Sequence, residues 1–215
     1  MENLSLSPEL LKLVDEIKYW HDSREWYEAR GVPWRRGFLF EGEPGTGKTS
    51  MARAAAELLN MPVNVFDLSN MSNRDFQVAW VEALLMTPCV CLLEDIDGIF
   101  HGRTNVTGVA GGLTFDCLLN TLDGVERVDG VLLIVTTNHP QHVDPALISR
   151  PGRIDRVVKF ESLDHAGRVK MAHRILDSLD FAELAATQYA DLPAASFQEQ
   201  CFRIALQRRW KDVAP

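Results

Sequence analysis

Long apolar runs are absent from this chain. None of its 215 residues opens the roughly 18–20 consecutive apolar positions that a membrane-spanning helix needs. The opening segment, MENLSLSPELLKLVDEIKYW, is polar and amphipathic and lacks the apolar centre of a secretory leader. Cysteine is scarce. Cys89, Cys91, Cys117 and Cys201 form no C-x-x-C pair, and no histidine stands near to complete a zinc site. Period two places Cys89 and Cys91 on one face of an apolar strand, where they read as small buried hydrophobes in a reducing compartment. A surplus of positive charge is missing too. The formal net charge is −8, which opposes non-specific binding to nucleic acid and to anionic membranes. No internal repeat or low-complexity tract occurs. These absences imply a soluble, intracellular protein, taken as cytoplasmic, and they leave the sequon Asn105-Val106-Thr107 without a glycosylating enzyme.

What is present is ordinary for a globular domain: 46% hydrophobic and 24% charged residues. The length suits one medium domain, or one domain with a small lid, and needs no disulfide or metal to hold its core. Leu10, Leu11, Leu13, Val14 and Ile17 recur at helical spacing after Pro8, predicting a helix from about 8 to 29 closed by Gly31 and Pro33. Phe38–Glu41 is a short apolar strand that runs into a glycine-rich segment, and TSMARAAAELL then favours helix. Strands are expected at 63–69, 89–94, 131–137 and 156–161, with helices at 74–86, 113–122 and, briefly, 145–149. Buried apolar strands alternating with helices predict a parallel sheet covered on both faces. The Gly- and Thr-rich stretch 99–113 reads as a loop, and helices at 164–179 and 196–210 predict a helical lid.

The chemistry concentrates at strand ends. Gly42-Glu43-Pro44-Gly45-Thr46-Gly47-Lys48-Thr49 fits G-x-x-x-x-G-K-[ST] at every fixed position, with Ser50 next in the helix. The glycines let backbone N–H groups turn toward a phosphate, Lys48 reaches the β/γ-phosphate oxygens, and the Thr49 hydroxyl ligates Mg²⁺. The helix that begins there adds its positive end. Glu94 and Asp95 end a buried strand, so that one carboxylate can hold Mg²⁺ while the next polarises an attacking water. Asn138 ends another strand, where it can orient that water or serve as a turn residue; His139 reads as scaffold. Arg150, Arg153 and Arg156 flank a Pro-Gly turn, which suits either surface ion pairs or reach toward a neighbour's phosphate.

Taken together, GEPGTGKT, LLEDID, TTN and DPALISRPGRID, in that order, resemble the AAA+ ATPases of the classical AAA branch. WYEARGVPWRRGFLFEGEPGTGKTS, LLEDIDGIF and LTFDCLLNTLDGV are most similar to the mitochondrial inner-membrane ATPases that assemble respiratory complex III by translocating its Rieske subunit. The resemblance spans about Glu25 to Leu163. It implies an α/β, three-layer P-loop NTPase with a five-stranded parallel sheet and a small C-terminal helical lid. It also implies a ring of six or seven like subunits that binds ATP and Mg²⁺. The matching positions make Glu94 and Asp95 the Walker B acids, Asn138 the sensor, and Arg150 and Arg153 fingers reaching a neighbouring site; Arg30 to Pro33 would lie near the adenine. Thr49 and Glu94 become the expected metal ligands. The expected organisation is an N-terminal helix and lead-in over 1–36, an ATPase core over 37–162 and a lid over 163–215.

Four departures stand out. Glu94 precedes Asp95 where most AAA proteins have Asp then Glu, an order the complex III branch shares. Ser149 is an extra residue before Arg150. The membrane span and membrane-proximal domain of the assembly ATPases are absent, and 68–75 lacks the aromatic–apolar–Gly loop with which threading unfoldases grip a chain. The expected activity is therefore ATP-driven remodelling of a protein partner. The competing reading is a nucleotide-gated assembly switch, and a DNA-loading ATPase is disfavoured by the acidic charge.

Overall fold

The computed structural model describes residues 7–124, 129–149 and 152–213, the last four without side chains. Five strands form one parallel sheet: β1 (Arg35–Glu41), β2 (Val63–Phe66), β3 (Cys89–Leu93), β6 (Val131–Thr137) and β7 (Arg156–Lys159), in the order β2-β3-β6-β1-β7. The fold is α/β, as the strand–helix alternation predicts. β3 and β6 are buried along their whole length, which is why CVCLL and VLLIVTT carry no polar alternation.

Cys89, Cys91 and Leu93 share one sheet face with Leu133 and Val135, under Phe76 and Trp80 of α4 (Asn73–Leu84) and Leu118 and Leu122 of α5 (Phe115–Asp123). Helix α3 (Lys48–Leu59) packs on β3 and β6 through Met51, Ala52, Ala55 and Ala56. Ser72 caps α4 through a reciprocal box with Asp75, so the chain passes from β2 to α4 by a single 3₁₀ turn, Leu68–Asn70.

Several elements depart from expectation. The helix foreseen over 8–29 is two, α1 (Pro8–Asp22) and α2 (Arg24–Ala29). At the break, Ser23 Oγ donates to Tyr19 O at 2.5 Å, a back-bond that competes with helix continuation. The glycine-rich loop after Ile99 holds a small hairpin, β4 (Phe100–His101) with β5 (Thr104–Asn105). The helix foreseen over 164–179 ends sooner, as α6 (His165–Leu176), because Asp177 turns left-handed at φ 52°. A helix not foreseen, α7 (Leu179–Gln188), follows, and α8 (Ala194–Val213) runs longer than expected.

The chain divides into two compact units. One comprises residues 14–42 and 48–159 and contains the sheet. The other comprises residues 160 onward together with 43–47 and the described part of 1–13. In this second unit α6, α7 and α8 close over Ala172, Ala182, Ala186, Phe197 and Cys201. Buried Arg168 stacks over Phe197 and donates to the carbonyls of Leu163, Tyr189 and Leu192, satisfying loop acceptors that water would otherwise serve.

Within the sheet unit, Glu16 of α1 binds Arg36 of β1 at 2.7 Å and also Arg156 of β7. Burial pushes the Glu16 carboxyl upward, but hydrogen bonds and charge from both arginines outweigh it, and its pKa is lowered. A carboxyl held low in the folded state stabilises above its unfolded pKa of about 4.3 and loses that contribution as pH falls through the lower folded value. Glu16→Gln should therefore lower the denaturant midpoint at neutral pH, and the difference from wild type should close below about pH 4.

Candidate active site

The glycine-rich loop leaves β1 and enters α3. Gly47 sits at φ 98°, a conformation glycine adopts freely, and a Cβ there would have no atom within 4 Å, so the loop keeps an open face. Thr46 Oγ1 donates to Glu43 O at 2.8 Å, closing the loop on itself. Lys48, the first residue of α3, is buried, and its Nζ donates to Gly42 O at 2.6 Å and to Asn138 Oδ1 at 2.8 Å. Burial lowers the Lys48 pKa, and the charges of Asp95 and Asp97 offset part of that shift.

The strand ends converge on this lysine. Thr49 Oγ1 donates to Glu94 Oε1 at 2.6 Å, which joins the two expected metal ligands. Asn138 Nδ2 donates to Asp95 Oδ1 at 3.0 Å, so one amide spans the loop lysine and the second acid. Asp95 itself is left-handed at φ 47°, and its N–H is held by Thr136 Oγ1 at 2.9 Å. Lys48, Thr49, Glu94, Asp95 and Asn138 are thus brought together by side-chain hydrogen bonds. The loop residues Gly42, Glu43, Pro44, Gly45, Thr46 and Gly47 precede them, and Ser50 follows in the first turn of α3.

Arginine placement corrects the sequence reading. Arg153 does not point outward: it is 2% exposed, and its Nε and Nη2 bind Asp123 at 2.5 and 2.6 Å while Nη1 donates to Ala146 O. The turn that carries it is tied down, because Gly37 and Asp155 exchange two 2.8 Å hydrogen bonds. A Cβ at residue 37 would meet Arg153 O at 1.7 Å, so only glycine admits this close approach. Arg156 pairs with Glu16, and Arg150 lies outside the described residues. The Arg30 guanidinium stacks over Trp26 at 4.2 Å. His139 donates its N–H to Thr137 Oγ1, and its ring stands beside His142, consistent with scaffold.

Asp97 and the two threonines that close β6 were not singled out from sequence. Their signal was there: a third acid in EDID, and two hydroxyls ending an otherwise aliphatic strand. Asp97 is 5% exposed and accepts from Thr137 Oγ1 and from the Asn138 N–H.

A phosphate loop joining β1 to α3, with the acids Glu94 and Asp95 ending β3 and Asn138 ending the intervening β6 in a sheet ordered β2-β3-β6-β1-β7, defines a P-loop nucleoside triphosphatase. Residues 38–162 match the ATPase family associated with various cellular activities, and the chain belongs to this AAA family as a nucleotide-binding ATPase domain. It is 39% identical over 145 residues to the "Probable mitochondrial chaperone bcs1" of Schizosaccharomyces pombe, covering 66% of this chain and 32% of that protein. It is 33% identical over 200 residues to the "Mitochondrial chaperone BCS1" of Danio rerio, covering 87% of this chain and 47% of the relative. An "ATP-dependent zinc metalloprotease FtsH 1" of Conexibacter woesei is 33% identical over 180 residues, 76% of this chain and 26% of its own length. The chain thus spans a third to a half of the chaperones it matches. Among the described residues no helix is long and apolar enough to cross a membrane.

Thr136 is 1% exposed, and its hydroxyl is the hydrogen-bond partner of the Asp95 N–H. Thr136→Val keeps the shape and removes that partner, so it should cost about 1–3 kcal/mol in a denaturant titration.

Proposed function

We propose that this chain binds ATP with Mg²⁺, hydrolyses it, and uses the cycle to remodel a protein partner from within a ring of like subunits, six or seven in number. The observation that carries this reading is the continuous network Asp95–Asn138–Lys48, with Thr49–Glu94 beside it. Lys48 places its charge on the β/γ-phosphates, and the loop amides of residues 42–50 hold the remaining oxygens. Thr49 and Glu94 are hard oxygen donors already hydrogen-bonded at 2.6 Å, a set that fits Mg²⁺. When bound there, the ion neutralises charge on the transferring phosphoryl group. Asp95 polarises the attacking water and Asn138 holds both Asp95 and the phosphate end in register.

Arg150 is assigned the role of finger toward a neighbouring site; the buried Arg153 anchors its turn. The printed names of the relatives include "chaperone", which supports a protein partner here. The acidic net charge speaks against nucleic acid as that partner. Its compartment is intracellular, and the mitochondrial label belongs to the relatives. One observation favours a second reading, an assembly switch with negligible turnover: the acid assigned to polarise water is the short Asp95, itself bound to Asn138.

Lys48→Ala should remove measurable ATP binding by calorimetry while leaving the unfolding midpoint near wild type. Asp95→Asn should retain ATP and stall phosphate release, whereas Glu94→Gln should also weaken Mg²⁺-dependent binding; wild-type turnover in Asp95→Asn would move the catalytic role to Glu94. Arg150→Ala subunits mixed with Lys48→Ala subunits should regain activity that neither has alone, since a finger in trans is worth on the order of 10³–10⁵ in rate. No recovery in mixtures shown by native mass to co-assemble would remove Arg150 from that role.

A further inference from the structure

We infer that Asp97 is a positioning residue for the nucleotide reaction: it sets the angle at which Asn138 meets Lys48 and the second acid. The inference deepens the proposed function and rests on it. Asp97 lies in the single 3₁₀ turn Ile96–Gly98 that follows the left-handed Asp95. One carboxylate oxygen, Oδ1, accepts from Thr137 Oγ1 at 2.8 Å and from the Asn138 backbone N–H at 2.9 Å. Thr137 is fully buried and is the last residue of β6, so the acceptor grips the point where the strand releases Asn138.

A carboxylate that is 5% exposed and served by two neutral donors is expensive to bury. An ordinary turn could be closed by a neutral side chain. The charge strengthens both hydrogen bonds, because a charged acceptor binds its donors more tightly than a neutral one.

The grip matters because Asn138 has no slack. Its Oδ1 accepts from Lys48 Nζ and its Nδ2 donates to Asp95 Oδ1, so the amide plane is fixed from both ends. Thr136 holds the Asp95 N–H from the same strand end. Two consecutive threonines and Asp97 therefore tie the β6 terminus to the turn after β3. If the tie loosens, Asn138 loses its common register with the lysine and the acid although each side chain remains in place. A misplacement of this kind is costly in rate even though the groups that meet the nucleotide are unchanged.

The test uses the full chain with Asp97→Asn, Thr137→Val and the double variant, reading ATP affinity, ADP affinity, phosphate release and unfolding midpoint. Each single variant should lower turnover at least about tenfold and lower the ratio of ATP to ADP affinity, with ADP affinity within about twofold of wild type. The double variant should be no worse than the poorer single one, because both act through Asn138. Should Asp97→Asn fail to fold, Thr137→Val, isosteric and missing one hydroxyl, decides alone. Turnover and the ATP-to-ADP ratio unchanged in Thr137→Val overturn the inference. So does an equal loss of ATP and ADP affinity, which marks a collapsed pocket. A wild type that binds ATP without turnover leaves the affinity ratio as the deciding readout. A wild type that binds neither nucleotide overturns the proposed function, and this inference with it.

Discussion

The candidate site is organised around one lysine held out of water. Lys48 opens α3 with its side chain buried, and that burial lowers its pKa. Everything around it answers that cost. Gly42 and Asn138 accept its hydrogen bonds, Asp95 and Asp97 supply opposing charge, and the strand order puts β1, β3 and β6 side by side so that their ends meet. In the proposed function, a lysine directed by neutral acceptors exchanges them for phosphate oxygens with little reorganisation at the moment of reaction.

The sheet supplies the rigidity this requires. β3 and β6 are buried from end to end, so the residues just past them, Glu94, Asp95 and Asn138, inherit fixed positions. Their side chains then interlock across the strand ends, because Thr136, Thr137 and Asp97 each bond to the neighbouring turn instead of to water. The arginine turn is fixed by another close approach. Gly37 admits the backbone of Arg153, and Asp123 and Ala146 absorb its guanidinium.

Motifs dictated by local chemistry were legible in the sequence. The phosphate loop needs glycine and lysine at set offsets, and the buried strands needed only a run of apolar residues bounded by acids or by Asn138. What escaped depended on tertiary contact or on small backbone events. The break at Ser23 comes from one hydroxyl that the periodicity of apolar residues does not sense. The end of α6 comes from a left-handed Asp177, and α7 lay hidden because it buries alanines, which carry little periodic signal. Arg153 looked outward because a Pro-Gly turn exposes its neighbours as a rule; Asp123, thirty residues away, reverses that. Asp97 escaped because its role is visible only once β6 lies beside β3.

In the proposed function the Lys48 network hydrolyses ATP, and does so between subunits. Phosphate release with saturating MgATP, followed across protein concentration with native mass recorded on the same samples, tests it most directly. Specific activity should climb as subunits associate and level off once the ring is formed. Activity that stays flat with concentration in a demonstrably monomeric sample, or no phosphate release from an assembled ring that binds ATP, would contradict it.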